Sequence, residues 1–122
     1  LIFLLFLTLN IQAQNCVGET FEYTQNFLKE EGFYVKEKSY GGFRSLNASK
    51  GEIQQLHTFS KTNICLLSFV SFQGLNWGNW HMLLKDRGYI AMGDAYYKGQ
   101  FRAEIIYNDA SKQWMVCYSN NK

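Results

Sequence analysis

Proline is absent from the 122 residues, and histidine occurs only twice, as His57 and His81. No proline-rich linker or low-complexity tract divides the chain, and no internal repeat is read from it. Two histidines and three scattered cysteines lack the spacing of a metal site, and no glycine-rich nucleotide motif occurs. No metal or other cofactor is therefore expected. The formal net charge is only +2 and the basic residues form no cluster, so nucleic acid is not an expected partner. No apolar run reaches the roughly 20 residues that a bilayer-spanning helix needs.

Charge is also missing from the first eighteen residues, the first charged side chain being Glu19. The apolar stretch from Leu1 to Leu9, with Ile11 behind it, has the length of a signal-peptide h-region. Its basic n-region would precede Leu1, and Ile11-Gln12-Ala13 offers a small residue before a cut. The expectation is a removed signal over residues 1–13 and one exported domain over 14–122, secreted or periplasmic. A domain of that size has room for one modest core. Aromatic residues make up 17% of the chain, with tryptophan at 77, 80 and 114. Core filling is their first use, and a peptide or sugar surface the second.

Val17–Glu31 reads as a helix, with Val17, Phe21, Thr24 and Leu28 on one face. Glu19 near its start and Lys29 near its end suit the helix dipole, and Gly32 stops it. Phe33–Tyr40 reads as a strand closed by Gly41-Gly42. Ser49-Lys50-Gly51-Glu52 has the form of a capping box, which predicts a second short helix to about Phe59. Ile64–Phe72 is a nearly continuous apolar run, as in a central strand. A loop over Gln73–Asn79 then leads to strands at Trp80–Asp86, Tyr89–Ala95, Phe101–Tyr107 and Gln113–Ser119. The expected class is α+β: an N-terminal helix and a second short helix packed on an antiparallel sheet of about five strands.

Three cysteines, Cys16, Cys65 and Cys117, leave at least one outside any intrachain disulfide. Cys65 and Cys117 fall in strand-like segments, where they are either bridged or buried as small apolar side chains. Cys16 stands at the expected start of the first helix, where unpaired N–H groups and the dipole stabilise a thiolate. A general base must reach such a nucleophile, and His81, opening a strand after a flexible loop, is better placed than His57. With a two-residue turn at Arg87-Gly88, His81 would oppose Asp94 across a hairpin, with Cβ atoms about 4.5–5.5 Å apart. Asp94 could then orient the imidazole.

Asn15-Cys16 opening a helix, Trp80-His81-Met82-Leu83-Leu84-Lys85 and Gly93-Asp94 together resemble the papain-like fold, nearest in layout to bacteriocin-leader peptidases. The resemblance implies a cysteine hydrolase acting on a peptide or amide bond through a thioester. Cys16 would be nucleophile, His81 general base and Asp94 the orienting residue, and Gln14 would stand for the family's oxyanion glutamine. A second reading comes from a different class. A helix or two followed by a curved antiparallel sheet is similar to the nuclear-transport-factor-two-like and cystatin-like folds. That similarity implies a non-catalytic secreted binding domain for a peptide or protein, with Trp77, Trp80, Tyr96 and Tyr97 lining its pocket.

Overall fold

A computed structural model of the protein describes residues 16–121. The expected signal over 1–13 and the proposed oxyanion residue Gln14 lie outside the described residues. Helix α1 (Phe21–Glu30) is followed by strands β1 (Tyr34–Tyr40), β2 (Phe43–Lys50), β3 (Ile53–Phe59) and β4 (Cys65–Phe72). Helix α2 (Trp77–Asp86) then leads into β5 (Ile90–Met92), β6 (Ala95–Lys98), β7 (Phe101–Asn108) and β8 (Gln113–Asn120). All eight strands form one antiparallel sheet in the order β1-β2-β3-β4-β8-β7-β6-β5. The α+β class with helices on an antiparallel sheet stands, but the layout of two helices over about five strands does not.

Residues 43–50, for which the sequence suggests no strand, form β2, and the expected strand Tyr89–Ala95 is divided by the Gly93-Asp94 turn into β5 and β6. Three further local misreadings complete the difference. The first helix begins at Phe21, because Thr20 adopts extended backbone and its hydroxyl accepts the Tyr23 N–H at 3.1 Å. Cys16 lies ahead of that cap, in a turn closed by the Glu19 N–H on its carbonyl. The apparent capping box at 49–52 is a hairpin turn instead. Lys50 pairs with Ile53, and Gly51 at φ +60° supplies the positive φ that a two-residue hairpin favours. The expected second helix is therefore β3, whose inward side chains are Ile53, Gln55, His57 and Phe59. Two of those four are polar, which hides the alternation. Finally, Trp80–Asp86 is helical. Asn76 and Asn79 cap each other's backbone N–H at 2.9 and 3.0 Å, and Trp80, Leu83 and Leu84 bury one face.

A further correction concerns repeats, because the described chain is built twice over the same plan. Each half is a helix followed by a four-stranded meander, and the halves join through β4 and β8. The helix exits match in detail. Leu28-Lys29-Glu30-Glu31-Gly32-Phe33 corresponds to Leu84-Lys85-Asp86-Arg87-Gly88-Tyr89. The Phe33 N–H donates to the Leu28 carbonyl, and the Tyr89 N–H to the Leu84 carbonyl, each at 3.0 Å. Lys50, ending β2, donates to the Glu31 carbonyl at 2.7 Å, and Lys98, ending β6, donates to the Arg87 carbonyl at 2.6 Å. Both lysines satisfy orphan carbonyls at a helix C-terminus and place a cation at the dipole's negative end.

Register sorts the side chains onto two faces. Ala48, Gln55, Val70, Val116 and Ile105 form one row across the sheet, and Leu46, His57, Ser68, Tyr118 and Ala103 the next. Both rows lie under the helices. Trp80, Leu83 and Leu84 pack with Val70, Val116 and Tyr118 in the main core. Each such buried large side chain contributes about 1.5–3 kcal/mol. A second cluster under α1 joins Cys16, Phe21, Leu46, Phe59 and Cys65.

Candidate functional site

The residues expected to form a triad occupy three separate places. Cys16 is wholly buried in the cluster under α1. Burial, reinforced by nearby Cys65 and opposed by a hydrogen bond from Thr24, pushes its thiol up to about 12. It does not open a helix, so the N-terminal field that would favour a thiolate acts at Phe21 instead. His81 lies in α2, not in a strand. Its Nδ1 shares a 2.6 Å hydrogen bond with the Tyr96 hydroxyl, and its ring stacks on Trp77 at 4.9 Å between centroids. Asp94 is exposed in the β5–β6 turn. Met92 pairs with Ala95, so Gly93 and Asp94 are the two central turn residues, and Gly93 takes φ +66°. The cross-strand pairing of His81 with Asp94 required both to be strand residues, and neither is.

The four aromatic residues of the binding reading divide between the two sides of the sheet. Trp80 and Tyr96 belong to the core beneath α2, and Trp77 is exposed on that helix. Tyr97 points to the opposite face, where its hydroxyl accepts a 3.4 Å hydrogen bond from Arg102. No disulfide joins the cysteines: Cys65 is on the helix side and Cys117 on the other, directly opposite Phe69.

Sequence reasoning passed over a polar chain in the core. His57 Nε2 is 2.8 Å from Gln55 Oε1, its Nδ1 is 2.8 Å from Ser68 Oγ, and Ser68 Oγ is 3.4 Å from Cys65 Sγ. The amide oxygen can only accept, so Nε2 carries the proton and Nδ1 accepts from the serine hydroxyl. Burial alone drives the imidazole down to about 4, so the ring is neutral at physiological pH. The group resembles a relay on paper, yet Gln55, His57, Ser68 and Cys65 are all buried, which bars substrate. It satisfies both ring nitrogens of His57 inside the core but leaves the buried Gln55 Nε2 without a partner among the described residues.

The helix-free face of the sheet is where groups remain open to a ligand. Three cross-strand rows define it: Lys38, Ser45, Thr58, Leu67 and Ser119; Lys36, Asn47, Leu56, Phe69 and Cys117; and Ser49, Gln54, Ser71, Met115 and Ile106. Antiparallel sheets that face water usually present polar residues there. Here the centre is apolar, with Leu56, Leu67, Phe69, Ile106 and Met115 only half-buried. Two adjoining depressions lie on this face, about 400 and 450 Å³, sharing Asn47 and Leu56. The smaller runs over Phe69, Met115 and Ile106 to Asn108, and the larger over Phe43, Leu66 and Lys38.

Both histidines lie on the helix side, and Cys117, the face's thiol, is raised to about 11, chiefly by burial and then by Glu104. Glu104 itself is paired with Arg102 at 2.7 Å. Among the described residues, no group of three or more histidines, cysteines or carboxylates is placed to hold a metal, and no helix is long and apolar enough to cross a membrane. The signal that could have marked this face was the apolar outward position on β3, β4, β7 and β8, but it needs correct strand boundaries to be seen. Comparison with known proteins found no matching family, no matching curated protein and no matching solved structure.

Proposed function

We propose that this is an exported, non-catalytic binding domain whose helix-free sheet face docks a peptide or protein. The observation that carries the reading is the half-exposed apolar centre formed by Leu56, Phe69, Ile106 and Met115 within a polar surround. Protein interfaces are built this way, with an apolar middle and a hydrophilic rim. Contiguous exposed apolar area costs solubility, so its retention points to a partner that covers it. A cysteine hydrolase fits less well, because Cys16, its nucleophile, would be a wholly buried thiol that its surroundings hold protonated.

Selection of random twelve-residue displayed peptides against the whole protein tests the reading. Binders should lose at least tenfold in affinity when Phe69→Asp and Leu56→Asp are introduced together. Circular dichroism and the urea midpoint report whether that variant stays folded. A second variant, Gln54→Arg, charges the exposed edge of the same depression and leaves its apolar side chains in place. Binders indifferent to both changes, or no binders at all, would overturn the proposal.

A further inference from the structure

We infer that the occupant of this face is an acidic segment of a partner protein, with apolar residues interspersed, seated in the larger depression over β1–β4. The inference rests on the docking reading and adds the sign of the partner's charge.

The β1–β4 half of the face carries cations and no carboxylate. Lys36 and Lys38 project from β1 in the rows of Asn47 and Ser45, with Leu56 and Thr58 beyond them. Neither lysine is paired with a carboxylate among the described residues. Glu37 lies between them in sequence but points to the helix side, where the Arg44 guanidinium binds it at 2.9 Å. A third ammonium, Lys61, stands 5.5 Å from the Phe43 ring centroid at the rim of the same depression. Lys38 lines the depression together with Phe43, Leu56 and Leu66, while Lys36 lies opposite its Asn47 and Lys61 beside its Phe43; Phe43 and Leu66 are about half exposed. Unpaired charge of one sign beside apolar surface selects a partner of the opposite sign.

The internal duplication sharpens the point. The two halves share the residues that cap their helices, Lys50 with Lys98 and Gly32 with Gly88. They differ where the face is exposed. Counting from the shared Gly32 and Gly88, Tyr34 corresponds to Ile90 and Lys36 to Met92. The basic character therefore belongs to one half only and is not demanded by the fold.

Two other occupants fit less well. In a two-fold contact between copies, each patch meets itself, which sets these lysines against one another. A nucleic acid would use a stripe of arginines and lysines, whereas Arg44 and Arg102 are already bound to carboxylates and the floor here is apolar.

The probe is a pair of acetylated decapeptides alternating Glu or Lys with Phe and Leu, titrated into the uniformly labelled protein while amide shifts are followed. The acidic peptide should shift Lys36, Lys38, Phe43 and Leu56, and should bind at least tenfold more tightly than its lysine twin. Lys36→Glu with Lys38→Glu should reverse that preference, and Lys36→Gln with Lys38→Gln should abolish it without repulsion. Equal binding of both peptides at the face would refute the acidic partner and leave the docking reading standing. No shift on this face with either peptide would refute both. Equal competition by a single-stranded oligonucleotide of matched charge, or concentration-dependent self-association that displaces the peptide, would also overturn the assignment.

Discussion

His57 makes the fold sensitive to mild acid, and the size of the effect follows from its burial. In the unfolded chain the imidazole titrates near 6.5, and in the core it is held down to about 4. Below pH 6.5 the unfolded state therefore takes up a proton that the native state refuses, and stability falls as pH falls. Nothing is lost above that range, and the loss levels off below about pH 4. Integrated to pH 4.5, this single group removes roughly 2–3 kcal/mol, a large share of the 5–15 kcal/mol that a small domain possesses. With a urea m-value of about 1.5 kcal/mol/M, the midpoint should drop by roughly 1.5–2 M between pH 7.5 and 4.5. Carboxylates also begin to titrate near the lower limit, so the wild-type drop alone is ambiguous. The discriminating comparison is His57→Gln, which retains hydrogen-bonding atoms opposite Ser68 and Gln55 but cannot titrate. That variant should be less stable at pH 7.5 and should lose most of the slope between pH 6.5 and 5. An unchanged slope in the variant would show that burial of this ring does not set the acid limit.

The thiols and the second helix give further checks. With burial holding Cys16 near 12 and Cys65 and Cys117 near 11, an aromatic disulfide reagent at pH 8 should modify the native protein on the order of a hundredfold more slowly than free cysteine. Half-exposed Cys117 should react first and all three should react at once in urea; rapid labelling of Cys16 in the folded state would restore it as a nucleophile. Asn76→Ala removes the reciprocal cap of α2 and should cost about 1 kcal/mol, lowering Tm by about 4 °C, while Asp94→Asn in the exposed turn should change Tm by less than about 1 °C. A larger effect at Asp94 than at Asn76 would contradict the placement of both.

Much of the chain could be read directly. The strands at β1, β4, β7 and β8 follow from their apolar and β-branched runs, and the first helix from the spacing of Phe21, Thr24 and Leu28. The errors came where one local pattern imitated another. Ser49-Lys50-Gly51-Glu52 has the residue types of a capping box, but Gly51 serves a hairpin, and only pairing with β2 and β4 decides between them. The β3 alternation was masked because the core accepts Gln55 and His57, which can be buried only once Ser68 arrives from the next strand. In α2, the cap is an Asn–Asn pair rather than the serine and glutamate of a common capping box, and aromatic Trp80 and His81 favoured a strand reading. The duplication was legible in Leu-Lys-acid-x-Gly-aromatic and in Lys-Gly-Glu against Lys-Gly-Gln, but both matches are short and their spacing differs between halves. The docking face was the least legible feature. It is a property of register, shared by residues of six strands that no sequence window contains.

Amide shift mapping of a display-selected peptide on the isotope-labelled domain tests that face most directly. The account predicts a contiguous footprint over Asn47, Leu56, Phe69 and Met115, with the exposed positions of α1 and α2 unmoved. A footprint centred on Trp77, His81 and the outer surface of α2 would contradict it.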